Sequence, residues 1–207
     1  MTAFRKLVLC IFATVAPLAA APAGAQNLLT NGDFDSGLGL DSWNNGTGSW
    51  ILGDDSGSCL LSDAAQGTSA LASTDQFLSL YSTQCISVDP SATPTLQIGA
   101  LYQTAASVWA RLYLQFFSDA GCANHLGWSG FAFGSTSPEW TAVGGPIELD
   151  PTAVAVRVWA DFNPMVAGIP QFTGALDRFY LGLLPQLLVD SFEAEGGSAC
   201  HWSAVIP

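Results

Sequence analysis

Two segments of the chain alternate between apolar residues and larger polar or aromatic ones, and this alternation constrains the fold more than any other feature. The segments are 107–117, SVWARLYLQFF, and 151–161, PTAVAVRVWAD. Successive side chains of a β-strand point to opposite faces, so a period of two predicts two strands that each bury one face. The residues predicted to face the core are Val108, Ala110, Leu112, Leu114 and Phe116 in the first segment and Val154, Val156, Val158 and Ala160 in the second.

The rest of the chain is rich in turn-forming residues, which recur about every ten positions, as in all-β sandwiches and barrels. No long segment has helical periodicity, which also favours an all-β fold. The stretch 44–49, NNGTGS, is predicted to be a loop, and Trp50 and Trp128 are predicted to anchor the core or a loop. Further strands are predicted at 70–72, 77–81, 85–88, 95–102, 127–133, 141–147 and 175–182.

The N-terminus has the features of a secretory signal peptide. Two basic residues precede an apolar run at 7–20, and the small residues Ala23, Gly24 and Ala25 follow it. The run is shorter than the ~20 apolar residues that span a bilayer, so membrane insertion is not expected. We therefore predict a signal peptide at 1–25, a β-sandwich domain at 26–182 and a C-terminal linker and tail at 183–207. The protein is expected to be secreted, whether periplasmic, extracellular or attached to the cell surface.

The charge balance of the chain excludes some classes of partner. The 207 residues carry 17 acidic and five basic side chains, for a net charge of −12. Arg5 and Lys6 belong to the predicted leader, so its removal leaves 3 − 17 = −14. Binding to nucleic acid or to anionic membrane surfaces depends on clusters of Lys and Arg. Neither kind of partner is expected, and the oligomeric state stays open.

The cysteines indicate disulfide bonds. Cys59, Cys85, Cys122 and Cys200 follow the predicted leader. An even number of cysteines in an exported chain predicts two disulfides, for which the sequence leaves all three connectivities open. Structural bridges are favoured over metal binding or redox chemistry because the spacing matches no zinc or Cys-x-x-Cys motif.

The outward faces of the two alternating segments contain groups suited to binding sugars. Aromatic rings stack on the apolar faces of pyranose rings, while polar side chains pair the hydroxyl groups that would otherwise be buried without partners. If the two strands are neighbours, these residues form one compact patch. The alternative is that loops or the tail cover the rings and the arginines make cation–π contacts with them. The predicted ligand-binding residues are Trp109, Arg111, Tyr113, Gln115, Arg157, Trp159 and Asp161.

The opening stretch 27–37, NLLTNGDFDSG, with Trp43 after it, resembles the start of galactose-binding-like jelly-roll domains. The resemblance is to the carbohydrate-binding modules of secreted cellulases and xylanases in particular. It continues through 84–88, 95–98, Trp140, 155–158 and 174–177, and so covers about residues 27–182. It implies a jelly-roll β-sandwich that binds an oligosaccharide or polysaccharide without cleaving it.

The resemblance also implies a structural calcium ion. By position in the motifs, Asp35 and Asp177 would bind it, although the second acid of the closing motif is replaced here by Arg178. In the opening stretch the leucines are predicted to start an edge strand, Asn31 and Gly32 to form a turn, and Phe34 to enter the core. Whether the flanking acids hold a cation or lie in a solvated turn stays open.

Two other functions are compatible with the sequence. A structural or adhesive β-sandwich of the cell surface or matrix would bind protein partners through the same face. A hydrolase would need two acids in a pocket at a defined separation, and nothing in the sequence places such a pair. The sequence has no Gly-x-Ser-x-Gly motif, and His125 is predicted to lie in an exposed loop. The chain is therefore expected not to be an enzyme.

Overall fold

Two antiparallel sheets form a β-sandwich in the computed structural model of the protein, which describes residues 27–34, 37–56, 63–70, 77–166, 169 and 171–183. The described residues include no helix, and hence none able to span a membrane. The predicted all-β jelly-roll sandwich is confirmed. The strands in chain order are β1 Trp43–Thr47, β2 Ser49–Gly53, β3 Ala64–Thr68, β4 Leu78–Ser82, β5 Ile86–Ser87, β6 Thr95–Thr104, β7 Val108–Phe117, β8 His125–Trp128, β9 Ala132–Gly134, β10 Thr141–Glu148, β11 Ala155–Pro164 and β12 Thr173–Gly182.

The seven-stranded sheet brings the two alternating segments together. Its order is β1-β4-β11-β7-β8, with β5 also paired to β11 and β9 to β7. The other sheet has the order β10-β6-β12-β3-β2. Strands β7 and β11 pair along their full lengths, ten residues each, from Val108 opposite Pro164 to Phe117 opposite Ala155. Their shared outer face is therefore one continuous surface in the middle of the sheet.

The inner faces of these strands fill the core largely as the alternation predicts. The five apolar residues of β7 predicted to face inwards are all buried, as are Val156, Val158 and Ala160 of β11. Val154 is an exception and is exposed. It precedes the first residue of β11 and follows a turn closed by the hydrogen bond from the Ala153 amide to the Asp150 carbonyl. The predicted strand therefore begins too early in the chain, because β11 starts at Ala155.

The opening stretch enters the sandwich as predicted in two respects and differs in one. Phe34 is fully buried, with its ring 5.3 Å from that of Trp43, and Asn31 lies in a turn with a left-handed φ of 56°. The predicted edge strand at the leucines is wrong, because Leu28 and Leu29 have no strand pairing with any described residue. They lie beside β12 through the Leu28 amide, which donates to the Leu181 carbonyl at 2.7 Å.

Three other segments differ from the sequence prediction. The stretch 44–49 is not a loop: β1 and β2 occupy it, joined at Gly48, whose φ of 79° suits glycine. The single strand predicted at 127–133 is two short strands separated by residues 129–131. The strand predicted at 70–72 is also wrong where it can be seen, since Ala70 follows the end of β3 and residues 71–72 lie outside the described part.

Candidate functional site

Strand register places six of the seven predicted binding residues in three rows across the outer face of the seven-stranded sheet, and the seventh, Trp109, lies opposite Asn163 in a further row. All seven of them, Trp109, Arg111, Tyr113, Gln115, Arg157, Trp159 and Asp161, lie on the neighbouring strands β7 and β11. One row runs Arg157–Gln115–Trp128, the next Asn44–Tyr81–Trp159–Tyr113, and the third Ser79–Asp161–Arg111–Phe133. Their juxtaposition is a feature of the structure, and their role in binding stays a prediction.

The rings on this surface form one contiguous cluster, which we call the aromatic face. Tyr81 covers one side of the Trp159 indole, with ring centroids 4.3 Å apart and planes inclined by 15°. Trp128 stands at 87° to the same indole at 5.3 Å. The cluster continues through Tyr113 and Phe131 at 5.2 Å, Phe131 and Phe133 at 5.6 Å, and Phe133 and Trp109 at 5.4 Å. Its members are Tyr81, Trp109, Tyr113, Trp128, Phe131, Phe133 and Trp159.

Exposure within the aromatic face differs from what the sequence predicted. Trp128 is 45% exposed and Phe133 is 65% exposed, so both present ring surface to solvent. Tyr113 is only 6% exposed, because Trp128 and Phe131 pack edge-on against its ring. The prediction that Tyr113 offers a free ring is therefore wrong. The prediction that Trp128 is a core or loop anchor is wrong too, since it ends β8 on the open surface.

Asp161 lies beneath the aromatic face rather than on it. It is 1% exposed, and its Oδ2 accepts hydrogen bonds from Arg111 Nε at 2.8 Å, Arg111 Nη2 at 2.6 Å and the Tyr113 hydroxyl at 2.9 Å. Burial raises the pKa of the Asp161 carboxyl, and these hydrogen bonds offset part of that rise. Asp161 was predicted to be open to ligand. It instead holds Arg111 and Tyr113 in place.

Arg111 and Arg157 both lie against aromatic rings. The Arg111 guanidinium carbon is 4.8 Å from the Phe131 ring centroid, and that of Arg157 is 5.3 Å from the Phe117 ring centroid. These are cation–π distances, as the alternative interpretation of the sequence expected. Gln115, on β7, lies opposite Arg157 and accepts a hydrogen bond from the Trp159 indole N–H at 3.0 Å. The ring contacts restrain the orientation of both guanidinium groups.

A disulfide joins the loops at one end of this surface. Cys85, before β5, is bonded to Cys122, between β7 and β8. This settles one bridge that the sequence left open. Cys59 and Cys200 lie outside the described residues, so a bridge between them stays a prediction.

The predicted calcium ligand Asp177 lies on the opposite sheet, buried among hydrogen-bond donors. Its Oδ2 accepts from the Ser56 hydroxyl at 2.7 Å and the Ser56 amide at 3.0 Å, and its Oδ1 accepts from the Arg178 amide at 2.6 Å. Both oxygens are thus engaged, and the described residues contain no group of three candidate metal ligands. The role of Asp177 as a calcium ligand stays a prediction. Asp35 lies outside the described residues, so its role as a ligand stays a prediction.

Asp177 gives the stability of the fold an unusual pH dependence. Burial raises the pKa of its carboxyl from 3.8 to about 6, against the opposing effect of Ser56. Between these values the folded state retains a proton that the unfolded state has lost. We therefore expect the free energy of unfolding to fall by about 2 kcal/mol as the pH rises from 4 to 6. Asp161, whose pKa is also raised, acts in the same direction.

Below that window the sign reverses. Hydrogen bonds lower the pKa values of three further carboxyls, those of Asp89, Asp119 and Asp150. The donors are Ser91, Asn124 and Thr152, respectively. Stability therefore falls once these carboxyls take up protons. Urea unfolding at a series of pH values should show a maximum near pH 4. In Asp177→Asn the decline above pH 4 should be smaller, and an unchanged profile would contradict the assignment to this carboxyl.

No family model and no curated protein matches the sequence. Solved structures do match in fold, and sugar-binding domains are among them. The module TmCBM61, solved with β-1,4-galactotriose, aligns with a TM-score of 0.51 at 14% identity over 77% of this chain and 99% of its own. The CBM22-1 xylan-binding domain of Paenibacillus barcinonensis Xyn10C aligns with a TM-score of 0.50 at 14% identity over 79% and 97%.

The chain has the jelly-roll sandwich fold of carbohydrate-binding modules. The same fold also occurs within larger proteins. The enzymatically active domain of bacteriophage CBA120 tailspike protein 4 aligns with a TM-score of 0.57 at 14% identity over 76% of this chain, which spans about a fifth of that structure (21%). Identities this low establish the shared fold, so the ligand has to be argued from this chain's own residues.

Proposed function

We propose that the aromatic face is a carbohydrate-binding surface and that the protein is a secreted, non-catalytic binding module. The observation that carries this proposal is the exposure of Trp128 and Phe133 on a cluster of seven rings that two arginines border. A cluster of exposed rings of this kind on a folded domain marks an interaction site. The fold shared with TmCBM61 and the xylan-binding domain supports carbohydrate as the ligand.

The rings and the polar side chains have separate tasks in this proposal. The apolar C–H face of a pyranose would pack on Trp128, and on Phe133 and Trp109 further along the sheet. Sugar hydroxyl groups displace water only where polar partners replace it, because an unpaired buried hydroxyl is costly. Gln115 and Arg157 lie one and two strands from Trp128 in the same row, at about 4.8 and 9.6 Å. That spacing places polar partners within reach of a sugar stacked on Trp128.

The acidic side chains of the sheet support binding rather than cleavage. Glycoside hydrolysis uses two carboxyl groups on either side of the bond that is broken. The seven strands of this sheet contain one acidic residue, Asp161. That residue is buried and bonded to Arg111 and Tyr113, which makes it a structural group.

Replacement of Trp128 tests the proposal. We expect Trp128→Ala to weaken binding to a polysaccharide that the wild type retains by about tenfold or more, as loss of a central tryptophan does at other interfaces. Affinity electrophoresis against a panel of soluble polysaccharides would measure it. The matched control is Ile51→Ala, which removes a side chain 64% exposed on β2 of the other sheet. Equal binding by Trp128→Ala and the wild type would rule out the aromatic face as the site.

A protein partner is the second candidate, because the edge of the sheet at β8 and β9 exposes Leu126 in addition to rings of the aromatic face. Leu126, Phe131 and Phe133 are all exposed there. Contiguous exposed apolar surface is also typical of protein interfaces. A wild type that retains no polysaccharide of the panel would favour this adhesive or structural role.

A further inference from the structure

We propose that Arg157 receives an anionic group of the ligand, so that the carbohydrate is an acidic one carrying carboxylate or sulfate. This inference rests on the proposed function and adds the charge of the ligand to it. Three cationic Lys or Arg side chains occur among the described residues, and two have acidic partners. Arg111 is 2.6 Å from Asp161, and Arg178 is 3.9 Å from Asp177. Within the described part of the chain, Arg157 has no carboxylate within 4.0 Å.

The guanidinium of Arg157 has N–H donors that are not hydrogen-bonded to any described residue. A guanidinium carries five N–H donors and no acceptor. The hydrogen bond that Arg157 makes to described residues is a weak one, from Nη2 to Cys85 Sγ at 3.5 Å. Its Nε is buried and has no hydrogen-bond partner among the described residues. Because Nε is buried, a ligand would bind through the Nη atoms, and an oxyanion accepting two hydrogen bonds from them would use donors that the described residues leave unpaired.

Arg157 is also held in a fixed position, as an anion-binding group should be. Its guanidinium carbon lies between two rings, 5.3 Å from the centroid of Phe117 and 5.8 Å from that of Tyr81. Cys85, which its Nη2 contacts, is tied by the disulfide to Cys122. A side chain restrained in this way loses little conformational entropy when a ligand binds.

Arg157 lies in the same row of the sheet as Trp128, the proposed stacking site. Arg157 lies opposite Gln115, and Gln115 lies opposite the exposed Trp128. A sugar stacked on Trp128 would therefore direct a neighbouring residue of the glycan, across Gln115, towards the guanidinium. An uncharged glycan could pair with Arg157 only through neutral hydroxyl groups, whereas a carboxylate or sulfate brings an opposite charge and can accept two parallel hydrogen bonds from the guanidinium.

The net charge of −12 opposes this ligand only weakly at the site itself. Charges exposed to solvent are screened beyond about 8 Å at physiological ionic strength. Asp161, the acid on the same strand, lies four residues from Arg157, which is about 13 Å along the strand, and it is paired with Arg111. Contact with Arg157 therefore decides the local preference, while the distant acids reduce the rate at which an anion approaches.

Pairs of polymers that share a backbone and differ in charge test the inference. Polygalacturonate would be compared with its methyl ester, carboxymethylcellulose with hydroxyethylcellulose, and dextran sulfate with dextran. We expect one charged member to bind at least about tenfold more tightly than its neutral partner. A preference in the first two pairs alone identifies a carboxylate, and a preference in the third alone identifies a sulfate.

Two variants assign that preference to Arg157. Arg157→Gln should abolish it with little change in binding of the neutral member, and Arg157→Lys should retain part of it because the charge stays while the fork is lost. Ala142→Asp, on the exposed side of β10 in the other sheet, changes the net charge as Arg157→Gln does and should leave the preference intact. Thermal melts would verify that each variant is folded.

The possible failures are distinguishable. Equal binding of the charged and neutral members, or a preference that survives in Arg157→Gln, overturns the inference and leaves the carbohydrate-binding role in place. If the wild type retains none of the six polymers and none of a broader neutral panel, the proposed function itself is overturned.

Discussion

We expect Arg111→Met to lower the free energy of unfolding by about 3–5 kcal/mol at neutral pH, as removal of one partner from a buried ion pair does. The Asp161 side chain is fully buried, and three hydrogen bonds to its Oδ2 come from Arg111 and Tyr113. Without Arg111, the carboxylate would retain the Tyr113 hydroxyl alone among these donors. Urea unfolding curves for the variant and the wild type would measure the difference.

The pH dependence of this loss separates the ion pair from simple packing. Loss of Arg111 removes the charge that opposes the raised pKa of Asp161, so the carboxyl in the variant takes up a proton more readily. The deficit should therefore shrink as the pH is lowered. Arg111→Lys, which keeps the charge, should cost less than Arg111→Met. A deficit that is the same at every pH would contradict an electrostatic origin.

Removal of the Cys85–Cys122 bridge is expected to have an effect of similar size. The bridge closes a loop with a sequence separation of 37 residues. Confining a loop of that length in the unfolded chain corresponds to about 4 kcal/mol in the chain-entropy model. The double variant Cys85→Ala, Cys122→Ala should unfold at a correspondingly lower urea concentration than the oxidised wild type.

A matched pair of substitutions checks that the cross-link causes this effect. The double variant with serine at both positions should lose about as much stability as the one with alanine, because both lack the bond. A large difference between them would instead assign the loss to the side chains around Cys122, which is buried. Loss of less than about 1 kcal/mol in both would contradict the stabilising role of the bridge.

The sequence predicted the elements whose pattern is long enough to count. Strand β7 supplies five alternations, and all its predicted core residues are buried. Strands β1 and β2 were missed because their sequence, rich in Asn, Gly and Ser, favours turns. Pairing of β1 with β4 and of β2 with β3 overrides that local preference.

Only part of the candidate site could be predicted from the sequence. Alternation assigns a residue to a face of a strand and says nothing of what covers it there. Asp161 and Tyr113 were thus assigned to the correct face, yet both are buried beneath other side chains of that face. Trp128 was missed because β8 has four residues, too few for a period to be counted, and glycines lie on either side of it at positions 127 and 130. Its place on this face follows from the strand pairing, in which Trp128 lies opposite Gln115, and that pairing is seen only in the structure.

The rings of the aromatic face come from strands that are far apart in the sequence, and this affects when the surface forms during folding. The rings of Tyr81 and Trp159 stack on each other although the two residues are 78 positions apart in the sequence (159 − 81). Trp128, which contacts Trp159, comes from a third strand whose residues lie between those two positions in the sequence. Contacts of such high sequence separation form only after long loops have closed, which makes this kind of topology slow to fold. No fragment of the chain shorter than the span from β4 to β11 can carry the surface, so a minimal peptide mimic of it is not attainable.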